Sequence, residues 1–174
     1  MTEPKYFIER TEIAGYRRIP ITTIQAHIFS RPGDPYNVEV VQRDAQALRE
    51  AGYFVEVRLK VEDSPDQPGG KIVAFVVSEK PVIRRVEYRG IKSITETDIL
   101  HAYRESKTAF LVESQFDETN LARATAIIKK LLSKNGRPSA VIKPTYERNT
   151  NLNVVSVLFT VDEGPNADAP ANPR

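Results

Sequence analysis

Two histidines are the residues of this chain best suited to acid–base chemistry or metal binding at neutral pH. His27 and His101 both fall in segments predicted to be helical, and we expect neither to have a carboxylate or histidine neighbour at a spacing useful for catalysis or metal binding. Cysteine is absent, which excludes disulfides, thiolate zinc sites and cysteine nucleophiles. No Gly-x-Ser-x-Gly or Ser/His/Asp set is present. We therefore expect no enzyme and no bound metal or cofactor.

Paired basic residues are the next candidates, because they could contact phosphate groups. Arg17-Arg18, Arg84-Arg85 and Lys129-Lys130 are such pairs, but acidic residues accompany them throughout. The net charge is only +2, from 25 Lys and Arg against 23 Asp and Glu, which gives no strong field for nucleic acid. A tandem KH-like nucleic-acid binder would need a Gly-x-x-Gly loop between helices and a basic face. The sequence has neither, so we expect no nucleic-acid partner.

The backbone of one predicted strand offers the most useful chemistry. Residues 54–62 alternate, with Val55, Val57, Leu59 and Val61 on one face and charged residues on the other, which is typical of a half-buried strand. If this strand lies at a sheet edge, its free N–H and C=O groups can pair with another chain. The predicted protein-binding residues are Phe54, Val55, Glu56, Val57, Arg58, Leu59, Lys60 and Val61.

A second strand, residues 140–147, is the alternative binding edge. It contains Pro144, which lacks an N–H group and is tolerated only at an edge. We therefore favour the first of the two strands as the site of partner binding.

An internal repeat shows which elements position these strands. Residues 82–94 (VIRRVEYRGIKSI) repeat residues 7–19 (FIERTEIAGYRRI), with Gly90 in the place of Gly15. A repeat of this length is a whole small domain rather than a solenoid unit. We expect one module over residues 6–80, a second over residues 81–165 and a disordered tail over residues 166–174.

Each module has the periodicity of strand, helix, helix, strand and strand. In the first, Ile21, Ile24 and Ile28 indicate a helix capped by Thr22 or Thr23, and Asn37 precedes a second helix. The third strand is the most apolar and should lie at the centre of its sheet. The predicted fold class is α+β: two tandem β-α-α-β-β modules, each a three-stranded mixed sheet with two helices on one face.

These motifs resemble the polypeptide-transport-associated (POTRA) domain. The resemblance rests on IRRVEYRGIKSIT at residues 83–95, on GYFVEVRL at residues 52–59, and on the module endings EKP and EGP. It covers both modules and is closest to the tandem repeats of BamA-type outer-membrane protein assembly factors. Residues 136–138, Gly-Arg-Pro, depart from the pattern because they lack its aromatic residue.

The resemblance implies a periplasmic binding scaffold of an outer-membrane β-barrel assembly or translocation machine. Its implied partners are unfolded outer-membrane proteins, accessory lipoproteins and neighbouring POTRA repeats, bound partly by β-augmentation, in a full-length protein that would carry a membrane barrel. A two-partner secretion transporter and a division-type membrane protein carry the same domain and remain alternatives.

Overall fold

The computed structural model describes residues 5–168 and divides into two compact units, one ending at Lys80 and the other beginning at Pro81. Both units have the same order of elements. The first comprises β1 (Phe7–Ala14), α1 (Ile21–Gln25), α2 (Val38–Glu50), β2 (Phe54–Asp63) and β3 (Gly70–Glu79). The second comprises β4 (Val82–Arg89), α3 (Glu96–Glu105), α4 (Glu118–Lys134), β5 (Val141–Asn149) and β6 (Val154–Asp162).

Each unit contains one mixed three-stranded sheet. The strand order is β1-β3-β2 in the first unit and β4-β6-β5 in the second. The first strand of each unit runs parallel to the central one, and the second strand runs antiparallel to it. The prediction that the most apolar, third strand is central is confirmed. It follows from burial, because Phe75 on β3 and Phe159 on β6 are fully enclosed.

The helices of each unit pack on one face of its sheet. In the first core, Ile24, Ile28, Val41, Ala45 and Leu48 meet strand residues Ile8, Val57, Val73, Phe75 and Val77. In the second core, Ile99, Tyr103, Ala124, Ile128 and Leu132 meet Ile83, Val155, Val157, Phe159 and Val161. This arrangement confirms the predicted α+β class and leaves the other face of each sheet toward solvent.

The helix ends agree with the sequence except at α1. Asn37 caps α2 by accepting the Glu39 N–H at 2.9 Å, as predicted. The predicted Thr22 or Thr23 cap is wrong, because α1 begins at Ile21 directly after Pro20 and has no side-chain cap. This helix ends at Gln25, so Ile28 reaches the core from the following loop.

The repeated glycines have a steric cause. Gly15 and Gly90 have φ of +91° and +86°, in the left-handed region that side chains rarely adopt. A Cβ would lie 2.0 Å from the carbonyl oxygen of Val77 at Gly15, and 2.0 Å from that of Val161 at Gly90. The close approach of this turn to the central strand therefore requires glycine in both units.

A buried carboxylate holds the same turn from the other side. Glu79 is 4% exposed and accepts the backbone N–H groups of Arg17, Arg18 and Ile19 at 3.0, 2.9 and 2.7 Å. The glutamate of the EKP ending therefore joins the end of β3 to the start of α1.

Glu163 has the equivalent role in the second unit. It accepts the N–H groups of Lys92 and Ser93 at 2.6 and 2.8 Å, and Arg137 Nε lies 3.4 Å from its Oε2. Burial acts to raise the pKa of Glu163, but the hydrogen bonds from Ser93 and Lys92 and the charge of Arg137 outweigh it and hold that pKa below its usual value. Arg137, in the Gly-Arg-Pro segment that departs from the pattern, also donates to Gly164 O at 2.8 Å.

The two units differ in length mainly in their helices. In the first unit α1 and α2 have five and thirteen residues, whereas their counterparts α3 and α4 have ten and seventeen. After β6, Ala167 donates its N–H to Gly136 O at 2.9 Å, so the chain at residues 166–168 lies against the end of α4. The rest of the predicted disordered tail, residues 169–174, lies outside the described residues.

Candidate protein-binding site

The first sheet has two edges, and a loop already occupies the start of one of them. The N–H of Ile8 on β1 donates to Asp34 O at 2.8 Å, and Gly33 donates to Ile8 O at 2.7 Å. Tyr36 likewise donates to Tyr6 O at 3.0 Å. The loop between the helices therefore acts as a short covering strand at this edge, and β2 forms the opposite edge.

The outer side of β2 presents free backbone groups at alternate residues. The N–H of Ser64 points inward, to Gly70 O on β3 at 2.8 Å, and the register between β2 and β3 continues without a shift from Glu56 to Asp63. Because the backbone groups along an antiparallel pair alternate in direction, the N–H and C=O groups of Val57, Leu59 and Val61 point away from β3. Between Lys5 and Asp168 no other strand pairs with this side of β2.

A side chain of α2 contacts this edge. Arg49, in the last turn of α2, donates from Nη2 to the carbonyl oxygen of Val57 at 3.1 Å. This bond confirms that the carbonyl group of Val57 points outward, and it occupies that carbonyl as an acceptor. Among the described residues, the N–H of Val57 and both backbone groups of Leu59 and Val61 therefore remain open on this side of β2.

The predicted site residues all lie on β2, but their side chains divide differently from the prediction. Phe54 and Val57 are buried, Leu59 and Val61 are half-buried, and Glu56, Arg58 and Lys60 are exposed. The placement of Val55 on the core face is wrong, since it is 60% exposed. A β-bulge between Phe54 and Glu56 adds one residue opposite Glu79–Ser78 and turns Val55 outward.

An open groove runs beside this edge, between α2 and β2. Its volume is about 610 Å³, and it is lined by Gln42, Ala45, Gln46, Arg49, Val57, Arg58 and Leu59. The apolar surface comes from Ala45, Val57 and Leu59, and the amide groups of Gln42 and Gln46 supply polar contacts. A strand added along β2 would place alternate side chains in or beside this groove.

The charged face of β2 is internally neutralised. Arg58 lies 3.5 Å from Glu56, and Lys60 lies 2.9 Å from Glu62, both as exposed pairs. Exposed pairs of this kind contribute little to stability. Their charges oppose aggregation at the exposed edge, and because the charges are paired, the edge has no strong preference for a charged partner.

The corresponding edge of the second unit, β5, is interrupted by a proline. Gly15 lies close to Val77 and Gly90 lies close to Val161, so these two valines are equivalent in the two units. Two residues before them, Phe75 and Phe159 are therefore equivalent. Their partners across the sheet, Leu59 and Pro144, occupy equivalent positions. Proline has no N–H to offer an incoming strand at that position.

Tyr146, which corresponds to Val61, fills the space beside the same edge. Its ring packs against Phe116 with centroids 4.7 Å apart, and its hydroxyl donates to Glu118 at 2.7 Å. That hydrogen bond to a carboxylate raises the pKa of Tyr146. An aromatic side chain therefore bridges β5 and the start of α4, whereas the first unit leaves an open groove between β2 and α2.

Sequence reasoning missed Arg49 and Tyr146, which together with Pro144 distinguish the two edges. A signal for Arg49 is its place one helical turn before the Gly52 turn, where the next strand begins close by. No local pattern marks the packing of Tyr146 on Phe116, because the whole of α4 lies between the two residues in the sequence.

The histidines have local partners. His27 Nδ1 lies 2.9 Å from Thr23 O, and His101 Nε2 lies 3.2 Å from Glu105. The expectation that neither histidine has a carboxylate neighbour is therefore wrong for His101, because Glu105 lies one helical turn farther along α3. In the part of the chain that the structure describes, no three or more His, Cys, Asp or Glu residues are grouped to hold a metal ion. None of the helices described is both long and apolar enough to cross a bilayer.

Known proteins share this architecture. The family model described as "POTRA: Surface antigen variable number repeat" matches residues 6–80 and, again, residues 81–164. The outer membrane protein assembly factor BamA of Nitratidesulfovibrio vulgaris is 24% identical over 157 residues, which cover 90% of this chain and 19% of that protein. BamA of Neisseria meningitidis serogroup B is 26% identical over 163 residues, covering 93% of this chain and 19% of that protein. The chain therefore spans about a fifth of the length of these relatives.

Solved structures agree on the fold. The N-terminal domain of Omp85 from Thermosynechococcus elongatus has a TM-score of 0.59 at 23% identity, covering 94% of this chain and 65% of that one. POTRA domains 1–3 of Omp85 from Anabaena have a TM-score of 0.51 at 20% identity, covering 91% of this chain and 61% of that one. With the family match spanning both units, the chain belongs to the POTRA family and carries two copies of that domain in tandem.

Proposed function

We propose that this chain is a periplasmic binding scaffold of an outer-membrane protein assembly machine. Relatives named as outer membrane protein assembly factors support this role, since they align with nine-tenths of the chain. In this role the chain binds extended segments of unfolded outer-membrane proteins or accessory subunits. The observation that carries the proposal is the open outer edge of β2 beside the α2 groove.

Binding proceeds by strand addition at the first unit. An incoming extended segment exchanges backbone hydrogen bonds with Leu59 and Val61, which supply both donors and acceptors. Its alternate apolar side chains enter the groove over Ala45 and Leu59, and the intervening ones remain in solvent. Outer-membrane strands alternate apolar and polar residues, so they fit this surface in any register that keeps the alternation.

Arg49 sets where the added strand ends. Because its guanidinium occupies the carbonyl of Val57 at 3.1 Å, pairing begins at Leu59 unless that bond is broken. Main-chain pairing supplies affinity that tolerates different sequences, as a scaffold for many client proteins requires.

A peptide titration tests this function. A peptide of about ten residues, with the alternating apolar residues of a transmembrane β-strand, is added to the isotope-labelled chain and followed by amide chemical shifts. We expect shifts concentrated at residues 57–63 and in the facing turns of α2. Shifts confined to β5 or to the solvent face of either sheet would contradict the proposal.

A proline exchange provides the matched variants. Leu59→Pro removes an outward N–H at a position where the second unit already carries proline, so the unit should still fold. Loss of one hydrogen bond, about 0.5–1.5 kcal/mol, together with the steric effect of the ring, should weaken binding at least about fivefold. Pro144→Leu is the control and should leave peptide binding at β2 unchanged.

A further inference from the structure

The second unit contains an apolar pocket on the side of α3, away from the β5 edge. Its volume is about 370 Å³, and its surface is mostly apolar, formed by Leu100, Tyr103, Ala109 and Leu111. Ligand pockets commonly span about 300–1,000 Å³. Leu100 and Leu111 are 39% and 45% exposed, so a bound side chain would cover apolar surface that now faces water.

The base of this pocket is rigid. Tyr103 is 1% exposed, its hydroxyl lies 3.0 Å from that of Tyr88, and its ring meets Phe110 edge-on at 6.1 Å. The loop that forms one wall folds back on the helix, with Thr108 N–H donating to Tyr103 O at 2.9 Å. A preformed pocket of this kind loses little entropy when a ligand enters.

Two cations flank the pocket. Arg104 and Lys107 are exposed lining residues, and within residues 5–168 neither of them forms an ion pair. No acidic residue lines the cavity. The electrostatic complement of this surface is therefore a large apolar side chain with a carboxylate beside it.

The equivalent position in the first unit carries an exposed phenylalanine. The helix caps Asn37 and Asp117, and the bridging residues Pro35 and Gln115, align Phe29 with Ala109. Phe29 is 76% exposed, so its ring faces solvent and gives a matched position for a control variant.

We propose that this pocket binds an acidic segment of a partner polypeptide that carries a large apolar side chain. The apolar side chain enters the cavity over Tyr103, and the neighbouring carboxylates pair with Arg104 and Lys107. The site is separate from the β2 edge and does not depend on strand addition.

The test uses the whole isotope-labelled chain and an acetylated, amidated heptapeptide with phenylalanine at its centre and acidic residues on both sides. We expect amide shifts at Thr108, Ala109 and Leu111, and binding that weakens as salt rises. A peptide with alanine in place of phenylalanine, and one with lysine in place of the acidic residues, should each bind at least about tenfold more weakly.

Four variants locate the binding. Leu100→Ala removes part of the apolar wall and should weaken binding at least about fivefold, whereas Phe29→Ala in the first unit should leave it unchanged. Arg104→Gln and Lys107→Asn leave the pocket open but remove a charge, and each should weaken binding about three- to fivefold. Asparagine suits position 107 because its φ is +52°. The charge variants test the proposal even if Leu100→Ala perturbs folding.

Several results would overturn the proposal. Equal binding of the acidic and lysine-containing peptides would refute the charge argument, and full affinity in a folded Leu100→Ala protein would refute the cavity argument. If vesicles containing phosphatidylserine produced the shifts at residues 108–111 and the acidic peptide did not, the basic rim would be a membrane-contact surface instead.

Discussion

Replacing Glu79 by glutamine should destabilise the first unit selectively. The carboxylate accepts the N–H groups of Arg17, Arg18 and Ile19, all within 3.0 Å, at a side chain only 4% exposed. Glutamine retains one oxygen but places an NH₂ donor against backbone donors. Each hydrogen bond that loses its charged acceptor weakens by about 1 kcal/mol, so we expect a loss of about 2–3 kcal/mol in the free energy of unfolding.

Hydrogen–deuterium exchange on the intact chain measures this loss in one unit while the other serves as an internal control. Where exchange requires unfolding of the unit and refolding is faster than chemical exchange, 2–3 kcal/mol corresponds to an acceleration of about 30- to 150-fold at Phe75. Phe159, in the central strand of the second unit, should change little. Glu62→Gln, at an exposed pair, is the matched control and should alter neither residue by more than about twofold.

The reasoning fails if Phe75 exchanges within about threefold of its original rate in Glu79→Gln, because the buried carboxylate would then contribute no more than an exposed one. It also fails if Phe75 and Phe159 accelerate equally, since that would make the effect a property of the chain as a whole rather than of the turn that Glu79 holds.

Three further predictions concern the second unit. Gly90→Ala should destabilise the unit by at least about 3 kcal/mol, because a Cβ would lie 2.0 Å from Val161 O and φ is +86°. Thermal unfolding measures this loss. Gly33→Ala is the control, because Gly33 also has a positive φ but no atom of the described residues, apart from its chain neighbours, lies within 4 Å of its Cβ position. Thr95→Ala should cost about 1 kcal/mol by removing the capping box with Asp98, measured by urea unfolding, and Thr97→Ala on the same helix should cost less than half as much. The pKa of Glu163 is lower in the folded state than in the unfolded state, so its stabilising effect is present above the unfolded-state pKa and is lost as the pH falls through the folded-state pKa. Glu163→Gln should therefore make the stability of the unit less sensitive to acid between about pH 5 and pH 3. An unchanged dependence of stability on pH would contradict this assignment.

The sequence predicts the architecture because its main signals are local and strong. Helical spacing in Leu121–Leu132 and the apolar run of β3 each arise from burial against a single layer, and the Asn37 and Thr95 caps depend on bonds to residues two or three positions away. The predicted cap of α1 is wrong because the carbonyl of Pro20 accepts the N–H groups of Thr23 and Ile24, which makes Pro20 the N-cap and places both threonines inside the helix.

The candidate site is only partly readable from the sequence, because its decisive features are tertiary. Alternation identifies β2 as a half-buried strand, but the bulge that exposes Val55 depends on the register against β3. The bond from Arg49 to Val57 O and the packing of Tyr146 on Phe116 join different elements, and no spacing rule brings them together. Pro144 is the one local signal that distinguishes the two edges.

The exchange rates of the Leu59 and Val61 amides, with and without a bound strand peptide, test the central claim most directly. If an incoming strand pairs with the outer edge of β2, both N–H groups gain hydrogen-bond acceptors, and their exchange should slow at least about tenfold at saturation. Thr145 and Tyr146 on β5 serve as the comparison and should exchange as before. Unchanged rates at Leu59 and Val61 while the peptide is demonstrably bound would contradict strand addition at this edge.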